Sequence, residues 1–567
     1  MTNTRRRRII GAVFALIAGG LYFAGHGQAQ TSGGGGYASQ FQQAAQNLLN
    51  SPASQALSGA GLTAVKVLAG AVNRTAPAVP SIAIAQDALA VTPSANVLVN
   101  NPALDPFSFV DISTQSETAV AGFGGNILVA YNNSSGLFFP NNSVMSWSRS
   151  TDGGNSFTQV GFLPVTPTGF NGGDPGLVVN RSGVFYASAI AYDFTFPPAN
   201  QGGVGIWKST DGGLTFTGPV YTPAPPATFP GDIGIGDKPF IAVDTSGKQY
   251  DGNVYVTWTA FGQTTGGIPI VFSRSTDGGN TFSTPIQVTP SGGFGLTQGS
   301  APAVGPNGEV YVAWFQAGCN GISSIPFIYV AKSVDGGQTF GLPVPVAPLQ
   351  ALGFGAGYSC FTIGGTLTGN FRVNSFPRID VNPKNGHVYI VFGSHSVPSA
   401  DSGDAFFTES TDGGQTWSIP LKVNDDRTSN DQFFPAVAVN GQGVIQVIWY
   451  DRRRDPNNLL IDVYSATSTN DGASFHSNQR VTTVSSPPAV GFDPLINPTY
   501  MGDYIDVKAM TGPSGRGSQF LQAWGDTRRV VETFGGVRHD QDVRFSIDAP
   551  TTGSSGGSGS GGGSGHD

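Results

Sequence analysis

The chain of 567 residues is poor in charge, because only 11 % of its residues are Asp, Glu, Lys or Arg, against about 25 % in an ordinary soluble domain. Beside 39 % apolar and 11 % aromatic residues, so little charge argues against intrinsic disorder, a coiled coil or a helix bundle. The net charge is −8 at pH 7, and no basic run as long as the four arginines at positions 5–8 follows them. We therefore expect no nucleic-acid partner.

Cysteine and histidine are also scarce. Cys319 and Cys360 are the two cysteines of the sequence, too few for the paired motifs of a zinc site, and the six histidines form no HExxH motif. An even number of cysteines in an exported chain suggests a disulfide. We expect these two to pair; two reduced, buried thiols are the alternative.

Residues 1–29 are predicted to be a secretory signal peptide. Four arginines at positions 5–8 precede an apolar run over residues 9–24, and Gly-Gln-Ala at 27–29 offers a small-x-small cleavage site. We therefore expect a protein that is secreted, periplasmic or held at the cell surface, and monomeric. An uncleaved anchor is the alternative, and it would be the one membrane contact.

Two further end segments differ from the middle of the chain. Residues 30–80 are rich in Ala and Gln, and Phe41, Ala45 and Leu48 fall at helical spacing, which predicts a short helical arm or linker. Residues 551–567 are almost wholly Gly and Ser, which predicts a flexible tail.

The segment between them, residues 81–550, contains a repeat. An octapeptide of the type Ser-Thr-Asp-Gly-Gly-Asn-Ser-Phe recurs every 58 to 77 residues, centred on Asp152, Asp211, Asp277, Asp335, Asp412 and, in a worn copy, Asn470. Each interval holds four short strand-like segments. The repeat predicts an all-β propeller of four-stranded blades, with seven blades preferred and six as the alternative. Residues 96–100 could supply the outer strand of the last blade.

The octapeptide suits a tight turn, since Asp-Gly-Gly allows positive φ and its Ser and Asp side chains can bond backbone N–H groups. A group repeated once per blade is expected to be structural rather than catalytic. The boxes resemble the Asp boxes (BNR repeats) of the sialidase-like superfamily, over about residues 105–550. This resemblance implies a propeller fold, and it allows either a glycan-binding or glycan-processing protein or a non-catalytic interaction and assembly module.

Candidate site residues lie where the predicted inner strands begin. Acidic side chains recur there as Glu117, Asp174, Asp237 and Asp503, with Asp431 slightly upstream of its strand. Converging at a channel mouth, they could bind a ligand, hold a cation such as Ca²⁺ or serve as general acids and bases. The alternative is that each caps its own strand.

Two Asp-Arg motifs follow predicted second strands, and they contain Arg452 and Arg528. Each arginine could brace neighbouring blades through an ion pair, or present its planar fork to a carboxylate or to sugar hydroxyls.

The resemblance to sialidases also implies a catalytic set of arginines, a Tyr nucleophile and an Asp acid/base. Tyr504 beside Asp503 is the candidate nucleophile, with Arg378 and Asp237 as further catalytic candidates. The leading arginine motif ahead of the first Asp box is missing, so we do not expect efficient cleavage of sialosides. An extracellular glycan or protein ligand is expected instead.

We predict that Cys319 and Cys360 form a disulfide in the mature protein. Mass mapping of unreduced peptides should find one cross-linked pair. Two free thiols in the folded, exported protein would contradict this prediction.

Overall fold

A computed structural model describes residues 34–71, 96–104, 114–137, 141–195, 201–224, 235–261, 268–290, 296–317, 325–350, 352–353, 363–395, 401–488, 501–533 and 536–549. The predicted signal peptide, the Gly/Ser tail and both cysteines lie outside these residues. Within them, no helix is long and apolar enough to cross a membrane.

The N-terminal region forms two helices, α1 (Gly34–Leu49) and α2 (Gly59–Leu68), joined through a 3-10 helix over Pro52–Ala56. We call residues 34–71 the arm. Ser58 is the N-cap of α2, and its side chain accepts a hydrogen bond from the Gly61 N–H. Phe41 and Ala45 are buried, as expected for an apolar face with helical spacing.

The rest of the described chain is dominated by β-strands. Five separate four-stranded antiparallel sheets have strand order equal to chain order. Their strands are β6 (Gly169–Val179), β7 (Phe185–Asp193), β8 (Val204–Ser209) and β9 (Thr217–Tyr221); β10 (Ile235–Val243), β11 (Val254–Phe261), β12 (Ile270–Ser275) and β13 (Ile286–Gln287); β14 (Thr297–Val304), β15 (Val310–Gln316), β16 (Phe327–Ser333) and β17 (Val344–Pro348); β20 (Arg378–Val381), β21 (Val388–Ser394), β22 (Asp404–Ser410) and β23 (Leu421–Lys422); β24 (Gln432–Val439), β25 (Ile445–Asp451), β26 (Asp462–Ser468) and β27 (Gln479–Arg480).

An eight-stranded sheet joins the first five strands of the chain to the last three, in the order β1-β30-β29-β28-β2-β3-β4-β5. Its strands are β1 (Val97–Leu98), β2 (Gln115–Phe123), β3 (Asn126–Asn133), β4 (Met145–Ser150), β5 (Thr158–Phe162), β28 (Asp506–Gly512), β29 (Gly515–Thr533) and β30 (Gly536–Asp548). The N-terminal β1 pairs antiparallel with β30, Val97 opposite Phe545. A short hairpin, β18 (Thr366–Leu367) and β19 (Phe371–Arg372), precedes β20.

The first strands of successive sheets contact one another, and this set is β2, β6, β10, β14, β20, β24 and β28. Apolar side chains fill the space between sheets, among them the buried Trp258, Trp314, Trp449 and Trp524. This all-β architecture of four-stranded sheets is consistent with the predicted β-propeller.

The repeated octapeptides form six similar turns, which we call the Asp turns. In the first, the Ser150 hydroxyl donates to Asp152 at 2.7 Å and accepts from the Gly154 N–H at 2.8 Å. The Ser156 N–H and hydroxyl then donate to the two oxygens of Asp152. In the worn copy, Asn470 accepts from the Ser474 N–H in the same way.

Three of the Asp turns also bond to the preceding sheet. The Arg149 guanidinium donates to the Gly212 carbonyl, Lys208 donates to that of Gly278, and Arg274 donates to that of Gly336. These turns therefore link neighbouring sheets.

We expect Asp211→Ala to lower the free energy of unfolding by about 1 kcal/mol, because the turn loses hydrogen bonds at a largely solvated position. Partial burial opposes the shift, but hydrogen bonds from Thr215 and Ser209 lower the pKa of Asp211 to about 2. This carboxylate therefore supports stability above pH ~4, and the support is lost as pH falls toward 2.

Urea unfolding of Asp211→Ala and Asp277→Ala, beside the exposed neighbour Thr210→Ala as a matched control, measures the effect. Equal midpoints for Asp211→Ala and Thr210→Ala would show that the turn bonds contribute nothing.

Candidate functional site

Bulges near the start of several inner strands place unusual residues at one end of the sheets. Register shifts occur between Ser116 and Ala119 in β2 and between Asp237 and Phe240 in β10. At the bulges, Glu117, Asp174 and Lys238 have φ of +53°, +58° and +52°. Such left-handed geometry is uncommon for residues other than glycine and marks a position held by its surroundings.

The third of these positions differs from the sequence prediction by one residue. Lys238, not Asp237, occupies the bulge equivalent to Glu117 and Asp174, because the irregular register begins after Asp237. The Lys238 ammonium therefore lies among the acidic side chains at this end of the sheets.

Four carboxylates come together here, and we call Glu117, Asp174, Asp237 and Asp503 the acid cluster. The Lys238 Nζ lies 3.2 Å from Asp503 Oδ2, 3.5 Å from Glu117 Oε1 and 3.6 Å from Asp174 Oδ1. The Arg372 guanidinium, from the β18–β19 hairpin, adds a second cation 2.6 Å from Asp503 Oδ2. No side chain of the acid cluster is more than 2 % exposed.

The arm covers the acid cluster and bonds to it directly. The Ser58 N–H donates to Asp237 Oδ2 at 2.8 Å, and the Ser58 hydroxyl lies 2.7 Å from Asp174 Oδ2 and 2.5 Å from Asp237 Oδ1. The Gly59 N–H points to Asp503 Oδ2 at 3.4 Å. The N-terminal end of a helix carries partial positive charge, so it is a favourable neighbour for carboxylates.

Two side chains from the β-strands, those of Gln298 and Arg372, bind the backbone just before α2. The Gln298 side-chain amide donates to the Ala56 carbonyl at 3.0 Å and to Asp237 Oδ2 at 2.7 Å. The Arg372 guanidinium donates to the Leu57 carbonyl at 2.9 Å. Residues 56–59 are therefore bound both through their carbonyl groups, which accept hydrogen bonds, and through their N–H and O–H groups, which donate them.

Close backbone approach allows this docking. A Cβ on Gly61 would lie 2.3 Å from Asp237 Oδ1, and a Cβ on Gly172 would lie 2.8 Å from Ala64 Cβ. Farther along the arm, the Phe41 ring contacts the rings of Tyr192 and Phe194, with centroids 5.9 and 5.7 Å apart. The arm is thus packed as well as hydrogen-bonded.

The four pKa values of the cluster separate into two pairs. Burial and the Asp174 charge raise the pKa of Asp237 to about 7 and also raise that of Glu117. Burial opposes ionisation of Asp174 as well, but Lys238 and hydrogen bonds lower its pKa to about 2. Arg372 and Lys238 likewise outweigh burial and lower the pKa of Asp503.

The candidate nucleophile lies beside the cluster. The Tyr504 hydroxyl donates to the Pro175 carbonyl at 3.0 Å, and the Tyr504 ring lies 4.8 Å from the Arg378 guanidinium. Arg378 also donates to the Ile505 carbonyl and lies 4.2 Å from the Phe240 ring. Tyr504, Asp503 and Arg378 are therefore neighbours, and their catalytic assignment stays a prediction.

The remaining candidate residues lie apart from the cluster. Arg452 is fully buried, donates to the carbonyls of Asn458 and Thr368, and lies 3.7 Å from Asp431. The Arg452 guanidinium is therefore occupied by contacts within the protein.

Arg528 contacts the edge where the chain ends meet. Its guanidinium donates to both oxygens of Asp526, and to Thr483 and Asn96. It thereby links three segments: β29, the strand β1 region and the loop after β27.

A bound cation such as Ca²⁺ was one of the alternatives for these acids. Among the residues that the structure describes, no group of three or more His, Cys, Asp or Glu side chains is arranged to hold a metal ion. In the acid cluster, Lys238 and Arg372 supply positive charge.

A separate cavity of about 100 Å³ lies at the other ends of the inner strands. Its walls include Val179, Val243 and Val304, with Lys508 and Arg516 among the polar lining residues. Arg516 forms a bidentate pair with Asp380 at 2.7 Å.

Sequence reasoning missed Ser58, Lys238, Arg372 and Gln298. Ser58 had one usable signal, because Ser directly before a helical segment is a typical N-cap. No local pattern indicated that this cap meets Asp237, 179 positions farther along the chain.

No protein-family model and no curated protein matches the chain. Among solved structures, an arabinanase from Penicillium chrysogenum in complex with arabinobiose is 13 % identical, with 65 % of this chain and 94 % of that chain covered and a TM-score of 0.39. A Hadza microbial sialidase is 14 % identical, with 71 % and 73 % covered and a TM-score of 0.38. A protein of unknown function from Dyadobacter fermentans is 12 % identical, with 80 % and 98 % covered and a TM-score of 0.40.

We expect Gly61→Ala to displace the arm or to lower stability by about 1–3 kcal/mol, because the new methyl group would overlap the Asp237 carboxylate in a packed site. Thermal melting and limited proteolysis of the arm measure the effect. Gly125→Ala is the matched control, since its Cβ would meet nothing closer than the Thr151 carbonyl at 3.8 Å. If both variants melt and resist protease alike, the arm is not docked through this contact.

Proposed function

We propose that this chain is an exported, sialidase-like propeller of seven blades that binds an extracellular glycan or protein without cleaving it, with its channel mouth closed by its own arm. Export is supported by the leader-like residues 1–29. The Asp turns support the sialidase-like assignment, since their Ser, Asp and Thr side chains bond as the repeat requires.

Seven blades are supported by the order of contacts. Each of the seven first strands contacts the next, and β28 contacts β2. The eight-stranded sheet then divides into two blades, β2 to β5 and β28 to β30 completed by β1. Pairing of β1 with β30 would join the chain ends and leave no open sheet edge there.

The observation that carries the non-catalytic proposal is the burial of the acid cluster beneath Ser58. A carboxylate that acts on a glycosidic bond must reach the substrate oxygen or a water molecule. Asp237 and Asp503 instead accept hydrogen bonds from the arm, Gln298 and Arg372. A substrate could reach them only after the arm had left.

A second candidate function is glycan processing by an arm-free form. It is favoured by the Arg378 guanidinium, which lies 4.8 Å from the Tyr504 ring, and by the neighbouring Asp503, which the arm contacts. This alternative requires the arm to act as a cover over a catalytic site.

We expect neither the wild-type chain nor Ser58→Trp to hydrolyse a panel of chromogenic glycosides, while both bind the same ligands on a glycan array or the same protein partner. The Trp side chain cannot fit where Ser58 is fully buried, so it should undock α2. Gln40→Trp, at an exposed position of α1, is the matched control.

Hydrolysis by Ser58→Trp that disappears on adding Tyr504→Phe would overturn the proposal in favour of the second candidate. Loss of array binding in Ser58→Trp, but not in Gln40→Trp, would place the ligand contact on the docked arm.

A further inference from the structure

We propose that the arm is an exchangeable peptide ligand of the propeller mouth, and that its docking takes up one proton, carried by Asp237 beside the Ser58 hydroxyl. This inference rests on the proposed function, because it treats the acid cluster as a docking site. The ligand class is a short, uncharged helix start of the type Ala-Leu-Ser-Gly, which the chain supplies at residues 56–59.

The proton follows from the number of hydrogens available around Ser58. The Ser58 hydroxyl has one proton to donate, yet its oxygen lies within 2.7 Å of both Asp174 Oδ2 and Asp237 Oδ1. The Gly61 N–H, 2.7 Å away, already donates to that oxygen. One of the two carboxyl groups must therefore carry a proton. Otherwise two negatively charged oxygens would share the single proton of the Ser58 hydroxyl.

The surrounding contacts assign that proton to Asp237. Asp174 also accepts from the Lys238 N–H and lies near the Lys238 ammonium, so its ionised form is stabilised. Asp237 lies one residue before Lys238, and no ion pair joins it to that ammonium or to Arg372 among the described residues. The pKa of Asp237, raised by burial and by the Asp174 charge to about 7, agrees with this assignment.

Charge balance leads to the same result. The titratable groups that interact with Asp237 are Asp174, Lys238 and Tyr192. Glu117, Asp503, Arg372 and Arg378 are the other charged groups of this region. The main charged neighbour of Arg378 is Asp506, outside the cluster. With Asp174 and Asp503 ionised and Glu117 and Asp237 protonated, two negative charges of the cluster meet the positive charges of Lys238 and Arg372. Ionising Asp237 would add a buried negative charge without a partner, which is costly.

The contacts of residues 56–59 also explain why the arm could exchange. Recognition uses two backbone carbonyls, two backbone N–H groups and one hydroxyl, so a second copy of the same segment can make the same bonds. When the segment leaves, the carboxylates return to water and the pKa of Asp237 falls toward its ordinary value of about 4.

Docking of the arm should therefore depend on pH. The docked state holds a proton that the undocked state releases, so docking weakens as pH rises from the undocked pKa to the docked pKa. The dissociation constant of the arm should rise up to about tenfold per pH unit between about pH 5 and 7, and should level off above that.

The experiment uses the full chain with a protease site inserted between residues 71 and 96, cut after purification so that arm and ring are held together without a peptide bond. A fluorescent peptide of residues 51–70 competes with the resident arm, and native mass spectrometry with fluorescence anisotropy reports exchange from pH 4.5 to 8.5. We expect exchange, and a dissociation constant that rises with pH.

Asp237→Asn should remove one proton from this dependence, because the amide keeps both an acceptor for the Ser58 N–H and a donor for the Ser58 hydroxyl. Glu117→Gln is the matched control: it removes any contribution from Glu117 and should keep that of Asp237. The same slope in wild type and Asp237→Asn would overturn the proposal, as would an arm that never exchanges.

An independent measurement covers a variant that folds poorly. Infrared difference spectra of the uncut Glu117→Gln chain, in which Glu117 cannot contribute, should show a protonated carboxyl band that disappears as pH rises through 7, and adding Ser58→Trp should shift the loss of the band to lower pH. Absence of such a band at pH 5.5 would also overturn the inference. Glycoside hydrolysis by the arm-free ring, in contrast, would contradict the proposed function and leave the proton uptake untouched.

Discussion

The acid cluster and the arm depend on one contact, that of the Ser58 hydroxyl with the carboxyl groups of Asp174 and Asp237. Four buried acids cannot all be ionised beside two cations, since each uncompensated charge in the interior is strongly unfavourable. The helix start of α2 supplies N–H and O–H donors, and Lys238 and Arg372 supply charge. Removing any one of these partners leaves a buried carboxylate without compensation, so the arm, the hairpin and the ring are energetically coupled.

The parts of the structure that could be predicted from the sequence are those with local causes. The turn around Asp152 closes through bonds that span no more than four residues, so the octapeptide alone indicates it. The helical face with Phe41 and Ala45 is also local, and both side chains are buried.

The carboxylates of the acid cluster could be predicted from the sequence, but their partners could not. The meeting of Glu117, Asp174 and Asp503 agrees with the repeat, because the first strands of successive sheets contact one another. The central cation could not be predicted in the same way, since the bulge in β10 places Lys238, and not Asp237, at the position equivalent to Glu117 and Asp174. The partner of Asp237 is even less accessible to sequence reasoning, because Ser58 belongs to a different, non-repeating segment.

The same residue type serves two purposes in this chain, and pH separates them. Hydrogen bonds lower the pKa of the Asp152 turn carboxylate to about 2, and it stays ionised through the mildly acidic range. Burial raises the pKa of Asp237 to about 7, so its protonation changes within that range. A shift between pH 5 and 7 therefore acts on the hold of the mouth on the arm, while the turns that link the sheets keep their charge. The links between sheets can therefore persist while the contact of Asp237 with the arm changes, because the two sets of aspartates differ in what surrounds them.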